Sequence, residues 1–285
     1  MQVGVVLPQT EIGATAASLR TYAHEVETLG YDHVLAYDHV VGADPAVHKG
    51  WDGPYDIDTN FHEPFVLFGF IAGCTSLACV SGIVILPQRQ TALVAKQAAE
   101  VDLLTNGTFR LGIGIGWNHV EYEALGQDFS TRGRRIEEQV DLLRRLWSTR
   151  SVTHAGEFDT VTGAGLSPMP LQQPIPIWFG ATSEPAYRRI GRLGDGWFPL
   201  MQPGPKLDLA LGLVRAGARE ANRDPASIGM QGRVDWRGDV DNVGVQFDKW
   251  RTVGATHVAI NTMGAGLKTV EDHLDALGRV AEAVL

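Results

Sequence analysis

Short apolar runs alternate with longer amphipathic stretches along the whole of this 285-residue chain, and no other feature restricts the fold as much. The runs VGVVLP (3–8), HVLAYDH (33–39), CVSGIVILP (79–87), TFRLGIGIG (108–116), IPIWFG (175–180) and GDGWFPL (194–200), with 228–235 and THVAIN (256–261), read as eight strands. Near-continuous apolar character marks strands covered on both faces, as in a parallel sheet. Between them, helices are predicted over 14–29, 62–77, 91–104, 131–147, from 183, and over 206–222, 242–253 and 269–284. Buried stripes follow from the spacing: Val94, Ala98, Val101, Leu104; Ile136, Val140, Leu143, Trp147; Val270, Leu274, Leu277, Ala281. Asp141 and Arg145 are spaced to pair at i, i+4. Eight such repeats predict an α/β fold, a (β/α)8 TIM barrel, with an open doubly wound sheet as the competing architecture. Residues 151–172 interrupt the alternation and read as a small insertion hairpin. No linker or internal repeat divides the chain, so one domain over 1–285 is expected.

Composition removes several classes of function. A net charge of −9 repels phosphate backbones, so no nucleic-acid partner is expected. The two cysteines, Cys74 and Cys79, lack metal or redox spacing and fit a reducing, cytoplasmic setting. The start MQVGVVLPQT has no basic segment ahead of an apolar one, and no apolar run approaches a membrane span, so neither a signal peptide nor a membrane partner is expected. An enzyme acting on a small-molecule substrate is the remaining expectation.

The segment LGIGIGWNHVEYEALG (111–126) poses the central question. Its glycines are spaced G-x-G-x-G, which fails the G-x-G-x-x-G dinucleotide fingerprint, and no Gly-Lys-Ser/Thr follows for a phosphate loop. Gly112, Gly114 and Gly116 therefore share one bare face of a strand. Two readings stand: close packing against a neighbouring backbone, or room for a flat ring near the strand's C-terminal end. Barrel active sites gather at such ends. There the sequence places Asp38-His39, Leu86-Pro87-Gln88-Arg89, Trp117-Asn118 and Gly180-Ala181-Thr182-Ser183. His39, with an acid beside it, is the candidate for acid–base work, against the alternative of a structural histidine. A metal site from Asp38, His62 or Glu63 lacks the usual ligand spacing. GATSEPAYRRIG (180–191) reads as a helix start with backbone N–H groups facing the barrel mouth, serving either as an anion site or as plain capping. The loop over 42–61, with Trp51 and Tyr55, is either a lid or a surface excursion.

The stretch LPQRQTALVAKQAAEVDLLTNGTFRLGIGIGWNHVEYEALGQDFSTRGRRIEEQVDLLRRLW, followed by PIPIWFGATSEPAYRRIGRLGDGWFP, resembles the luciferase-like monooxygenase superfamily. Within it, the sequence is most similar to the actinobacterial coenzyme F420-dependent oxidoreductases. The resemblance implies a barrel with an insertion hairpin and a deazaflavin (coenzyme F420) or FMN in its mouth. It implies a non-proline cis peptide at Gly82–Ile83 or Ile83–Val84, lying against the ring. It maps the strand-2 histidine to His39 with Asp38 beside it, and the phosphate loop to Gly180–Ser183. Gly82, Ile83, Gly116, Trp117, Asn118, Gly180, Ala181, Thr182 and Ser183, with Asp38, are the expected cofactor residues, and a homodimer is the expected assembly. Two positions depart from the family. Ile115 stands where luciferases carry the arginine for the FMN phosphate, and Trp117 where sugar-phosphate dehydrogenases carry a glutamate. Hydride transfer between F420 and a small organic substrate is the first expectation. An FMN-dependent monooxygenase, with Arg89 meeting the phosphate, is the second, and a metal-dependent barrel hydrolase the third.

Overall fold

A computed structural model describes residues 1–285. Its elements run β1 (Gln2–Val6), α1 (Ala16–Thr28), β2 (His33–Ala36), α2 (Pro64–Ala72), β3 (Ala78–Ser81), β4 (Val84–Ile85), α3 (Thr91–Leu104), β5 (Leu111–Gly114) and α4 (His119–Ala124). They continue with α5 (Arg132–Ser148), β6 (Val152–Ala155), β7 (Thr160–Ala164), β8 (Ile177–Ala181), α6 (Glu184–Leu193), β9 (Gly196–Pro199) and α7 (Pro205–Glu220). The last are β10 (Gly229–Asp235), α8 (Val240–Thr252), β11 (His257–Asn261) and α9 (Val270–Val284).

The main sheet is parallel, in the order β3-β2-β1-β11-β10-β9-β8-β5-β4. Its two ends belong to one stretch of chain. Val80 in β3 bridges Arg110, just ahead of β5, and Val84 in β4 pairs with Ile113 in β5. β3 and β4 are thus halves of one stave, and the nine segments close into an eight-stave barrel wrapped by helices. β6 and β7 form an antiparallel hairpin outside it, where the sequence predicted an insertion.

The differences from the predicted elements are local. The single strand expected over 79–87 is broken between Ser81 and Val84, and the Gly82–Ile83 peptide there is cis. α2 begins at Pro64, not 62, because Glu63 caps it by accepting the Val66 N–H at 2.8 Å. The strand expected over 108–116 spans only Leu111–Gly114, and Gly116 leaves it at φ +63°. The six-residue helix α4 carries no apolar stripe long enough to read as a helix from periodicity.

Most of the core lies between barrel and helices. Ile136, Val140, Leu143 and Trp147 of α5 are buried there as the spacing predicts, and Trp147 donates its indole N–H to the Ala95 carbonyl at 2.9 Å. Leu104 departs from the predicted α3 stripe and is exposed. Inside the barrel, Val6, Leu35, Val80, Trp178, Phe198 and Ala259 form a separate apolar layer. A polar floor surrounds Trp178. The Arg110 guanidinium sits 4.9 Å from its ring and donates to Gln231 Oε1 at 2.9 Å. Burial lowers Arg110 to about 9. Burial, with Arg110 nearby, also pushes His33 well below its ordinary value and His257 down to about 3, so both rings are neutral. No helix is long and apolar enough to cross a membrane.

Candidate active site

A cavity of about 430 Å³ opens at the C-terminal ends of the staves. All eleven residues singled out from the sequence line it: Asp38, His39, Gly82, Ile83, Gly116, Trp117, Asn118, Gly180, Ala181, Thr182 and Ser183. Their tasks differ from one another.

The glycine face resolves in favour of close packing. A Cβ on Gly112 would lie 1.8 Å from the Ser81 carbonyl oxygen and 2.8 Å from Phe198. One on Gly114 would lie 2.0 Å from Ile83 Cδ1, and one on Gly116 would lie 2.8 Å from Ile85 Cγ2. The bare face therefore admits Ser81, Ile83 and Ile85 of the broken stave. The expectation that these glycines give direct room to a ring is corrected in that respect: Ile83 fills the space above Gly114 and itself lines the cavity.

Asp38 is a structural anchor as well as a wall. Its Oδ1 accepts from Arg89 at 2.8 Å and its Oδ2 from the Ile85 N–H at 3.2 Å. Burial raises its carboxyl, and Arg89 offsets part of that. The same guanidinium donates to Glu63 Oε1 at 3.1 Å. Arg89 is thus committed to two carboxylates and does not line the cavity, which removes it as the cation for an FMN phosphate. Asn118 caps α4, accepting from the Val120 and Glu121 N–H groups at 3.1 and 3.3 Å.

His39 stands among aromatic rings. Tyr55 and Phe61 lie 4.7 Å from it and Trp117 6.0 Å. Its Nδ1 is 3.6 Å from Glu121 Oε1, an ion-pair distance that exceeds a hydrogen bond. Glu121 was not among the sequence candidates. Its position three residues after Asn118 reads as half of a capping box. Instead of turning back to the cap, the carboxylate reaches across to the Val40 N–H at 2.5 Å and to Gln88 Nε2 at 3.0 Å. Burial acts to raise the carboxyl, but His39, the Val40 N–H and Gln88 outweigh it and hold it below the ordinary range.

At the start of α6, Ser183 is extended and makes no side-chain cap, contrary to the capping expected of Thr182 or Ser183. The first N–H groups of this helix keep their free positive dipole end, with Thr182 and Ser183 exposed beside it. Two arginines also line the cavity, each already matched. Arg189 donates to Glu137 at 2.8 Å, and Arg233 lies 3.0 Å from Asp235. His62 spends its backbone N–H on Gln9, and no group of three or more His, Cys, Asp or Glu stands close enough to hold a metal ion.

The 42–61 segment closes one side of the mouth. Trp51 packs against Trp117 with ring centroids 5.6 Å apart and planes tilted by 42°, and Gly53 is so close to both rings that a Cβ there would lie 2.5 and 2.7 Å from them. Tyr55 enters the cavity wall. Both feet of the loop are tied. Buried Gln9 donates to the Tyr37 carbonyl at 2.9 Å and accepts from the His62 N–H at 3.1 Å, and Arg89 spans Asp38 and Glu63.

The same architecture occurs in known proteins. An F420-dependent secondary alcohol dehydrogenase, solved with an F420–acetone adduct, superposes with a TM-score of 0.79 at 18% identity, covering 100% of this chain and 99% of that one. A phthiodiolone/phenolphthiodiolone dimycocerosates ketoreductase of Mycobacterium kansasii is 30% identical over 236 residues, 76% of this chain and 63% of that protein. An uncharacterized protein of Mycobacterium tuberculosis is 33% identical over 179 residues, 60% of this chain. The match spans 62% of the length of that relative. A sequence model described as luciferase-like monooxygenase matches residues 1–275. The chain belongs to the luciferase-like monooxygenase family, and its barrel is the one seen in the solved alcohol dehydrogenase.

Proposed function

We propose that this oxidoreductase transfers a hydride between coenzyme F420 and a small organic substrate, with His39 giving or taking the accompanying proton. One observation carries the choice of cofactor: no arginine at the cavity is free. Ile115 lines the wall where luciferases carry a phosphate-binding arginine, Arg89 is locked to Asp38 and Glu63, and Arg189 and Arg233 have carboxylate partners. A doubly charged phosphomonoester, as in FMN, would lack a cation here. The singly charged phosphodiester of F420 asks for less, and the uncapped α6 terminus with Thr182 and Ser183 offers a dipole end and hydroxyls of that order.

The residues present fit the group. Thr182, Ser183 and the first α6 N–H groups would hold the phosphodiester, and Gly82, Ile83, Gly116 and Trp117 would border the ring. When bound, the deazaflavin supplies a two-electron hydride carrier. The chain contributes orientation and exclusion of water. Ile83 projects into the cavity, held over Gly114 and Gly180, and Trp117 forms part of the wall with Trp51 packed against it. His39 holds or delivers one proton.

Binding is measured by quenching of tryptophan emission, since Trp117 lines the cavity with Trp51 packed against it. F420 is expected to bind at least tenfold more tightly than FMN, about 1.4 kcal/mol. Tighter binding of FMN would overturn the cofactor assignment.

A further inference from the structure

The α4 carboxylate facing His39 has no arginine or lysine partner. Glu121 is fully buried, and its oxygens are fixed by the Val40 and Val41 N–H groups and by Gln88. A buried carboxylate without a cation is costly unless a charge arises beside it. Only His39 can supply that charge. Arg89, which holds Asp38 next to His39 in the chain, is spent on Asp38 and Glu63. Tyr55 faces the ring from the loop, and Asp38 precedes it in the chain.

We propose that Glu121 is the positioning residue for His39: its fixed carboxylate sets the imidazole as the Nδ1–H tautomer and serves as counterion to the imidazolium. The proton exchanged with the cavity then enters and leaves at Nε2, while Nδ1 keeps its own. A carboxylate can only accept, so a neutral ring facing it at Nδ1 keeps the hydrogen there. The rings of Tyr55 and Phe61 flank the imidazole and restrict its rotation. This role rests on the assignment of His39 as the proton carrier, although its first test is independent of any cofactor.

In cofactor-free protein labelled with ¹⁵N-histidine, the neutral His39 signal is expected to show the Nδ1–H tautomer. An Nε2–H tautomer overturns the proposal, and this measurement stands even if every Glu121 variant fails to fold. In folded Glu121→Leu, which removes the acceptor, the neutral His39 signal is expected to gain the Nε2–H tautomer; an unchanged Nδ1–H signal overturns the proposal. With cofactor bound, Glu121→Gln is expected to lower kcat about tenfold while KM stays within about twofold, and Glu121→Asp should restore part of the loss; an unchanged kcat also overturns it. The expected tautomers in a protein that binds no F420 would refute the cofactor assignment and leave the Glu121–His39 pair standing.

Discussion

Replacing Gly112 by alanine tests the packing of the broken stave directly. The new Cβ would lie 1.8 Å from the Ser81 carbonyl oxygen, and real Cβ atoms essentially never come within 3.0 Å of such a group, so the two must separate by at least about 1.2 Å. Ser81 cannot yield easily. Its Oγ accepts the Gly112 N–H at 2.8 Å and donates to the Gly112 carbonyl at 2.9 Å, and its N–H reaches Arg110. Losing both Oγ bonds costs about 2 kcal/mol, and overpacking adds about 1–3. For a chain of this size, about 3–5 kcal/mol corresponds to a fall in Tm of roughly 6–10 °C, taking about 2 °C per kcal/mol. Gly114→Ala is the matched contrast. Its Cβ meets only the far end of the Ile83 side chain, which can rotate. The expected cost is about 1 kcal/mol, together with weaker cofactor binding because Ile83 is driven into the cavity. Calorimetry on both variants decides the matter. Gly112→Ala melting within about 2 °C of wild type, or no higher in cost than Gly114→Ala, would refute the reasoning.

The proton role predicts that His39→Gln lowers kcat by about 10²–10⁴-fold while cofactor affinity, read from tryptophan quenching, stays within about threefold; an equal loss of affinity would make the residue a binding group instead. Removing the guanidinium in Arg89→Met leaves Asp38 buried beside no cation and is expected to cost about 3–5 kcal/mol by urea unfolding, whereas a cost under about 1 kcal/mol would show the pair to be dispensable. His33 and His257 are both depressed in the folded protein, so between the ordinary histidine value of 6.5 and the folded value, about 3 for His257, the unfolded chain binds more protons. Stability should therefore fall as pH falls through that window, by at most about 1.4 kcal/mol per pH unit for each ring, and by less for the partly exposed His257. A urea midpoint that stays level from pH 7.5 to 5.5, a range that histidines dominate, would contradict this.

The barrel was legible because buried parallel strands and amphipathic helices leave different periods in the chain; the stripe of α5 follows from residue spacing, and the hairpin of β6 and β7 from the break in the alternation over 151–172. The gathering of eleven separated residues at one cavity follows from the same topology, which brings strand C-termini together. Pairwise partners were less legible. Nothing in the spacing of Arg89 distinguishes a phosphate ligand from a buried partner of Asp38 and Glu63. Glu121 was hidden because the Asn-x-x-Glu pattern has a sufficient local explanation, and only the path of residues 39–41 shows where the carboxylate goes. The three alternating glycines specify a bare face, but what fills it depends on a neighbouring stave thirty residues earlier in the chain.

The tied feet of the 42–61 segment separate two design problems. Gln9 and Arg89 each bridge the strand side and the helix side of the loop, so its entrance and exit are held to the barrel without help from the residues between. Changes in the span that spare Tyr55 and Phe61, the two rings against His39, are expected to leave Asp38, Glu63 and the frame that carries His39 in place. The rest of the roof can then be rewritten while the groups beneath stay in register. A library over positions 42–54 and 56–60 is accordingly the economical route to altered ligand selection on this scaffold.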